Sequence, residues 1–111
     1  MRADLERGGG ALAFMNGRTV GCLRFEPARD YLHVRRVAVD PQVQGQGVGT
    51  ALMVWAHEYA SSAGFGEVRV GVRVALRENL GFYERLGYRL VEEHRHPGYS
   101  DVTWLEMARP V

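Results

Sequence analysis

The sequence predicts an α/β domain with a mixed sheet, in the order β-β-β-α-β-α-β-β, and three observations carry that prediction. Short runs rich in β-branched residues occupy both ends of the chain. From about residue 47 the apolar period changes from two to three-and-four, the mark of a helix. A further alternating run lies between two such helical segments, which favours a parallel strand pair joined by a right-handed crossover.

Met1–Gly10, "MRADLERGGG", is polar and glycine-rich, and is expected to be loose. "ALAFM" (11–15) and "RTVGCLRFE" (18–26) flank Asn16-Gly17, a hairpin signal because both positions tolerate positive φ. "PARD" (27–30) turns the chain into "YLHVRRVAVD" (31–40), a third strand stopped by Pro41. Over 47–63, Val48, Leu52, Trp55, Tyr59 and Ala63 form one helical stripe, with Gly64 placed to end it. "EVRVGVRV" (67–74) alternates as a strand, and 75–86 reads as a second helix with Leu76, Leu80, Tyr83 and Leu86 in line. "YRLVEEH" (88–94) and "VTWLEMA" (102–108) complete the sheet around a loop, 95–101.

The 111 residues suffice for one domain, 1–111, and not for two. With 46% hydrophobic and 24% charged residues the composition is globular, and a formal net charge of +1 argues against nucleic acid or an anionic membrane surface as partner. All fourteen cations are arginine. The single Cys22 excludes an internal disulfide and any multi-cysteine zinc site, and reads as a small apolar strand residue. No apolar run reaches the roughly 18–20 residues a membrane helix requires, and no signal peptide opens the chain, so a cytoplasmic location is expected.

"VQGQGVGTAL" (43–52) places Gly45, Gly47 and Gly49 between a strand and a helix. A strand, a tight glycine-rich turn and a helix present unpaired backbone N–H groups to an anion. The turn is no P-loop, which needs a lysine, and its G-x-G-x-G spacing misses the dinucleotide fingerprint.

The flanking residues are more specific. Val37-Ala38-Val39-Asp40-Pro41, followed by Gln44-Gly45-Gln46-Gly47-Val48-Gly49, resembles the acetyl-CoA-binding motif of the GNAT N-acetyltransferase superfamily. Asn79 and "GFYERLGYR" (81–89) resemble the family's second signature, in the right order and with a strand between. The resemblance covers roughly 11–108. It implies a sheet splayed between the third strand and strand 67–74, with acetyl-CoA as co-substrate and no metal. It implies that amides of Gln44–Thr50 hold the pyrophosphate, so Gln44, Gly45, Gln46, Gly47, Val48, Gly49 and Thr50 are cofactor-binding candidates. The backbone of Val37, Ala38 and Val39 would pair with the pantetheine arm, and Asn79 would bond near the thioester. Tyr83, one turn from Asn79, would meet the leaving thiolate, although periodicity by itself reads it as a core aromatic.

An amine attacks a thioester only when neutral, so a proton acceptor is needed. Strand alternation puts Tyr31, His33, Arg35, Val37 and Val39 on one face, which points His33 and Arg35 toward the cleft. Family members carry a glutamate or histidine at the position matching His33. His33, Glu26 on the neighbouring strand and a water are all open as the base. Arg35, Glu26, Tyr99 and Asp101 are substrate-contact candidates. His94 and His96 have the spacing of a metal pair, but no third ligand converges in sequence. The implied activity is acetyl transfer to a primary amine of a small molecule or peptide; the alternative is an acyl-CoA- or partner-binding module without turnover. Family members carry helices before the first hairpin, where this chain has about ten residues. That implies an open acceptor site, a partner subunit such as a homodimer mate, or a start inside a longer reading frame.

Overall fold

The computed structural model describes Gly9–Val111 and the backbone of Arg2–Glu6. The segment expected to be loose is corrected in part. Arg2–Glu6 runs as β1, antiparallel to β2 (Gly10–Met15), with Arg2 opposite Phe14 and Glu6 opposite Gly10. Met1, Arg7 and Gly8 lie outside the described residues.

β2 and β3 (Arg18–Pro27) form the predicted hairpin, with Asn16 at φ 54° and Gly17 at φ 77°. β4 (Tyr31–Val39) follows antiparallel, and a 3-10 turn (Pro41–Val43) leads into α1 (Val48–Ala63). β5 (Glu67–Arg73), α2 (Arg77–Arg85), β6 (Arg89–His94) and β7 (Trp104–Pro110) complete the chain. The last strand starts later than the sequence suggested, because Val102 and Thr103 close the loop. The Thr103 N–H donates to His94 O at 2.9 Å.

The seven strands run β1-β2-β3-β4-β5-β7-β6, and β4 and β5 are the predicted parallel neighbours. Both helices lie on one face, over a core that includes Leu23, Leu32, Val34, Leu52, Met53, Val68, Val70 and Met107. Phe25 packs against Tyr59 and Trp55 of α1, at centroid distances of 4.9 and 6.0 Å, and those two rings stack on each other. Cross-strand register puts Cys22, Arg24, Glu26, His33, Arg36, Arg69 and Glu106 on the other face, which no helix covers among the described residues.

Two irregularities position the site. β4 and β5 pair from Tyr31–Glu67 to Val34–Val70 and then diverge, leaving the β5-facing edge of β4 open from Arg35 to Val39. β4 also carries a bulge: Arg24 pairs with Arg36 and Phe25 with Val34, so Arg35 is the extra residue. A bulge shifts the two-residue alternation by one. Val37 and Val39 therefore face the helices with Leu32 and Val34. His33, expected on the same face as Val37 and Val39, is on the opposite one.

Candidate active site

The chain that leaves β4 is held by Asp40, whose carboxylate accepts from the Gln42 N–H and from the Arg18 guanidinium, both at 2.9 Å. Gly45 and Gly47 both sit at φ 82°, and nothing lies within 4 Å of where their Cβ atoms would be. Glycine is needed there for backbone conformation, since the left-handed region penalises any Cβ. Gly49 differs: it has no positive φ, and a Cβ there would touch the Phe82 ring of α2 at 3.4 Å, about van der Waals contact. Gly47 is the N-cap of α1 and supplies no side-chain acceptor, so the first-turn N–H groups stay free.

These free amides open into a cavity of about 700 Å³ between the end of β4, the start of α1, and α2. Of the cofactor candidates, Val37, Val39, Gln44, Gly45, Gly47, Val48, Gly49, Thr50, Asn79 and Tyr83 line it, whereas Ala38 and Gln46 do not. Sequence reasoning missed Glu78, Phe82 and Arg85, which line the same cavity. Their signal was in the helix: 78, 82 and 85 repeat at spacings of four and three, on a stripe adjoining that of Asn79 and Tyr83. Arg85 places a cation in the cavity that the glycine turn lines.

A second hollow, about 330 Å³, fills the splay between β4 and β5. It shares Val37, Asn79 and Tyr83 with the first and adds Arg35, Arg36, Gly71 and Arg73. A third, about 370 Å³, shares Arg35 and Arg36 with the second and reaches Arg24 and Glu26. Neighbouring hollows therefore share walls, Val37, Asn79 and Tyr83 between the first and second, Arg35 and Arg36 between the second and third.

Tyr83 is buried, and burial pushes its phenol up to about 12, so it is neutral and a donor near pH 7. Among the described residues its hydroxyl has no hydrogen-bond partner, although its ring packs edge-on against Phe82 and Tyr88. Arg35 is paired with Glu26 at 2.9 Å, and both are exposed. His33 lines none of the three hollows. Its ring meets Tyr31 edge-on at 6.4 Å, and its pKa is lowered by burial and then by Arg35, which leaves the imidazole neutral at pH 7. Tyr99 and Asp101 line none of the hollows either; Tyr99 is exposed and packs edge-on against the His96 ring.

The histidine pair separates. The backbone N–H of His96 donates to Thr103 Oγ1 at 2.8 Å, and its Nδ1 lies 2.6 Å from the same oxygen. His94 stacks on Trp104, and its Nε2 stands 3.6 Å from Glu106 and 3.7 Å from Glu92. Glu92 precedes His94 by two residues on β6, and Glu106 is brought to the same face by the pairing of β6 with β7. Arg69 supplies a cation to this group, with Nη1 at 2.6 Å from Glu106.

The sequence pattern of the acetyltransferase (GNAT) domain matches residues 7–90. An uncharacterized N-acetyltransferase of Methanocaldococcus jannaschii is 33% identical over 81 residues, covering 67% of this chain and 36% of the relative. The aminoalkylphosphonate N-acetyltransferase of Salmonella typhimurium is 31% identical over 85 residues, covering 70% of this chain and 54% of its own length. The chain thus spans between about a third and about half of these relatives. Among solved structures, a GNAT-family acetyltransferase from Elizabethkingia anophelis with acetyl-CoA bound superposes with a TM-score of 0.79 at 18% identity. That superposition covers 92% of this chain and 75% of the other. No helix among the described residues is long and apolar enough to cross a membrane.

Proposed function

The chain belongs to the GNAT acetyltransferase family, and from that premise we propose that it moves an acetyl group from acetyl-CoA to a primary amine of a small molecule or peptide. The observation that carries this reading is that the hollow at the glycine turn and the hollow in the splay adjoin, with Val37, Asn79 and Tyr83 lining both.

The pyrophosphate binds the free amides at the start of α1, with Arg85 nearby, because oriented N–H groups and a guanidinium both favour an anion. The pantetheine arm lies along the open edge of β4 beyond Val34, pairing with it as an added strand. The thioester then sits in the splay. The amine nitrogen attacks its carbonyl carbon directly, with no covalent enzyme intermediate, and a strand amide at Val37 stabilises the oxyanion. The C–S bond breaks, and the Tyr83 hydroxyl hydrogen-bonds or protonates the departing thiolate. The amine proton leaves toward the face that carries His33 and Glu26, directly or through water. The neutral imidazole of His33 has a lone pair for it.

Calorimetric titration with acetyl-CoA tests the reading, with Gly47→Val alongside. One saturable site, lost in the variant, is expected, since valine cannot hold φ 82° without strain. A folded wild type that binds no acetyl-CoA overturns it. Binding without turnover of any amine supports a binding module instead.

A further inference from the structure

The third hollow is lined by three arginines, Arg24, Arg35 and Arg36. Arg24 and Arg36 stand directly opposite each other across β3 and β4, on the face without helices. Like charges in direct cross-strand register destabilise a sheet. Other arginines nearby are neutralised: Arg35 by Glu26, Arg69 by Glu67 and Glu106. Among the described residues Arg24 and Arg36 have no carboxylate partner, and neither does Arg73 on the β5 lip of the splay. Arg36 lines both the splay hollow and the neighbouring hollow, which Arg24 also lines. The bulge at Arg35 creates this arrangement by turning Arg36 toward Arg24.

We propose that the acceptor is a small amine that also carries an oxyanion, a carboxylate or a phosphonate, held by Arg24 and Arg36 while its amino group reaches the splay. This rests on the acetyl-transfer reading and narrows its substrate class. Guanidinium groups suit this ligand because they bind oxyanions through paired N–H donors.

The test compares β-alanine and 2-aminoethylphosphonate with propylamine as acceptors, reading kcat/KM by CoA release in wild type, Arg36→Ala, Arg24→Ala and Arg36→Lys. The oxyanion amines are expected to exceed propylamine by about 10- to 100-fold. That ratio should collapse toward one in the alanine variants and persist in part in Arg36→Lys. Equal use of propylamine by wild type, or equal losses for all three amines, overturns the proposal. The ratio of β-alanine to 2-aminoethylphosphonate tells which oxyanion is preferred. Calorimetric titration of 2-aminoethylphosphonate and β-alanine, with and without saturating CoA, separates the two readings. Saturable binding lost in Arg36→Ala supports the arginine site, even in a chain that turns over slowly or fails to bind CoA. No binding of either amine by a chain that binds CoA overturns the arginine site and leaves the acetyl-CoA reading standing.

Discussion

Val34 and Val37, three residues apart on one strand, point to the same side of the sheet. Val34 is opposite Phe25 and Val37 opposite Leu23, with Arg35 bulged between them. Val34 is buried and Val37 packs partly buried against the same core. Urea denaturation should therefore show Val34→Ala costing about 2 kcal/mol and Val37→Ala about 1 kcal/mol, in proportion to the apolar surface each loses. Arg36→Ala should stay within about 0.5 kcal/mol, as an exposed change does. A large loss at Arg36 with none at Val37 would mean that the strand alternates without the bulge.

Gly21 marks where α1 meets the sheet. A Cβ there would lie 2.9 Å from Val48 Cγ1, 3.0 Å from Ala38 O and 3.2 Å from Leu52 Cδ1. Gly21→Ala should destabilise the fold by about 1–3 kcal/mol through overpacking. Because Val48 opens α1, acetyl-CoA affinity should fall with it. Unchanged stability in urea would contradict the close approach of α1 to β3.

Tyr83→Phe removes one hydroxyl and leaves the ring packing in place. Single-turnover and steady-state assays should show kcat lowered by about 100-fold, a typical contribution of a positioned proton donor. The acetyl-CoA dissociation constant should change little. A variant with full kcat would remove Tyr83 from the chemistry and return it to the core.

His57 of α1 ties the two helices to the sheet's end, with Nε2 2.6 Å from the Tyr88 hydroxyl. Burial, and then Arg109, lowers its pKa from 6.5 to about 4. Between these values the unfolded chain binds a proton that the folded chain does not. The stability His57 contributes is complete above pH 6.5 and declines as pH falls toward 4. Denaturation midpoints measured across that window should drop more steeply in wild type than in His57→Gln. Parallel curves would show that His57 titrates normally in the fold.

Much of the site was legible because its parts are local. The Asn16-Gly17 turn, the Gly45–Gly49 turn before a helix, and the one-turn spacing of Asn79 and Tyr83 each depend on backbone conformation within a few residues. Those residues carry it in their own chemistry: positive φ at 16, 17, 45 and 47 is accessible to asparagine and glycine and costly elsewhere. What could not be read is non-local. Period-two alternation predicted that His33 and Val37 share a face, and one extra residue at position 35 reversed it, because a bulge is defined only by the partner strand. The same bulge set Arg36 opposite Arg24.

By itself the sequence determined the α/β class, the order of its elements from β2 onward, the glycine turn that leaves amides free, and the helical stripe that carries Asn79 and Tyr83. Tertiary structure alone decided where β4 and β5 part, which face each β4 side chain takes beyond Arg35, and that Glu106 reaches His94. The physical reason is range. Turn and helix preferences act through bonds and neighbours a few residues away, whereas strand register and splay are settled by packing between segments brought together only when the chain has folded.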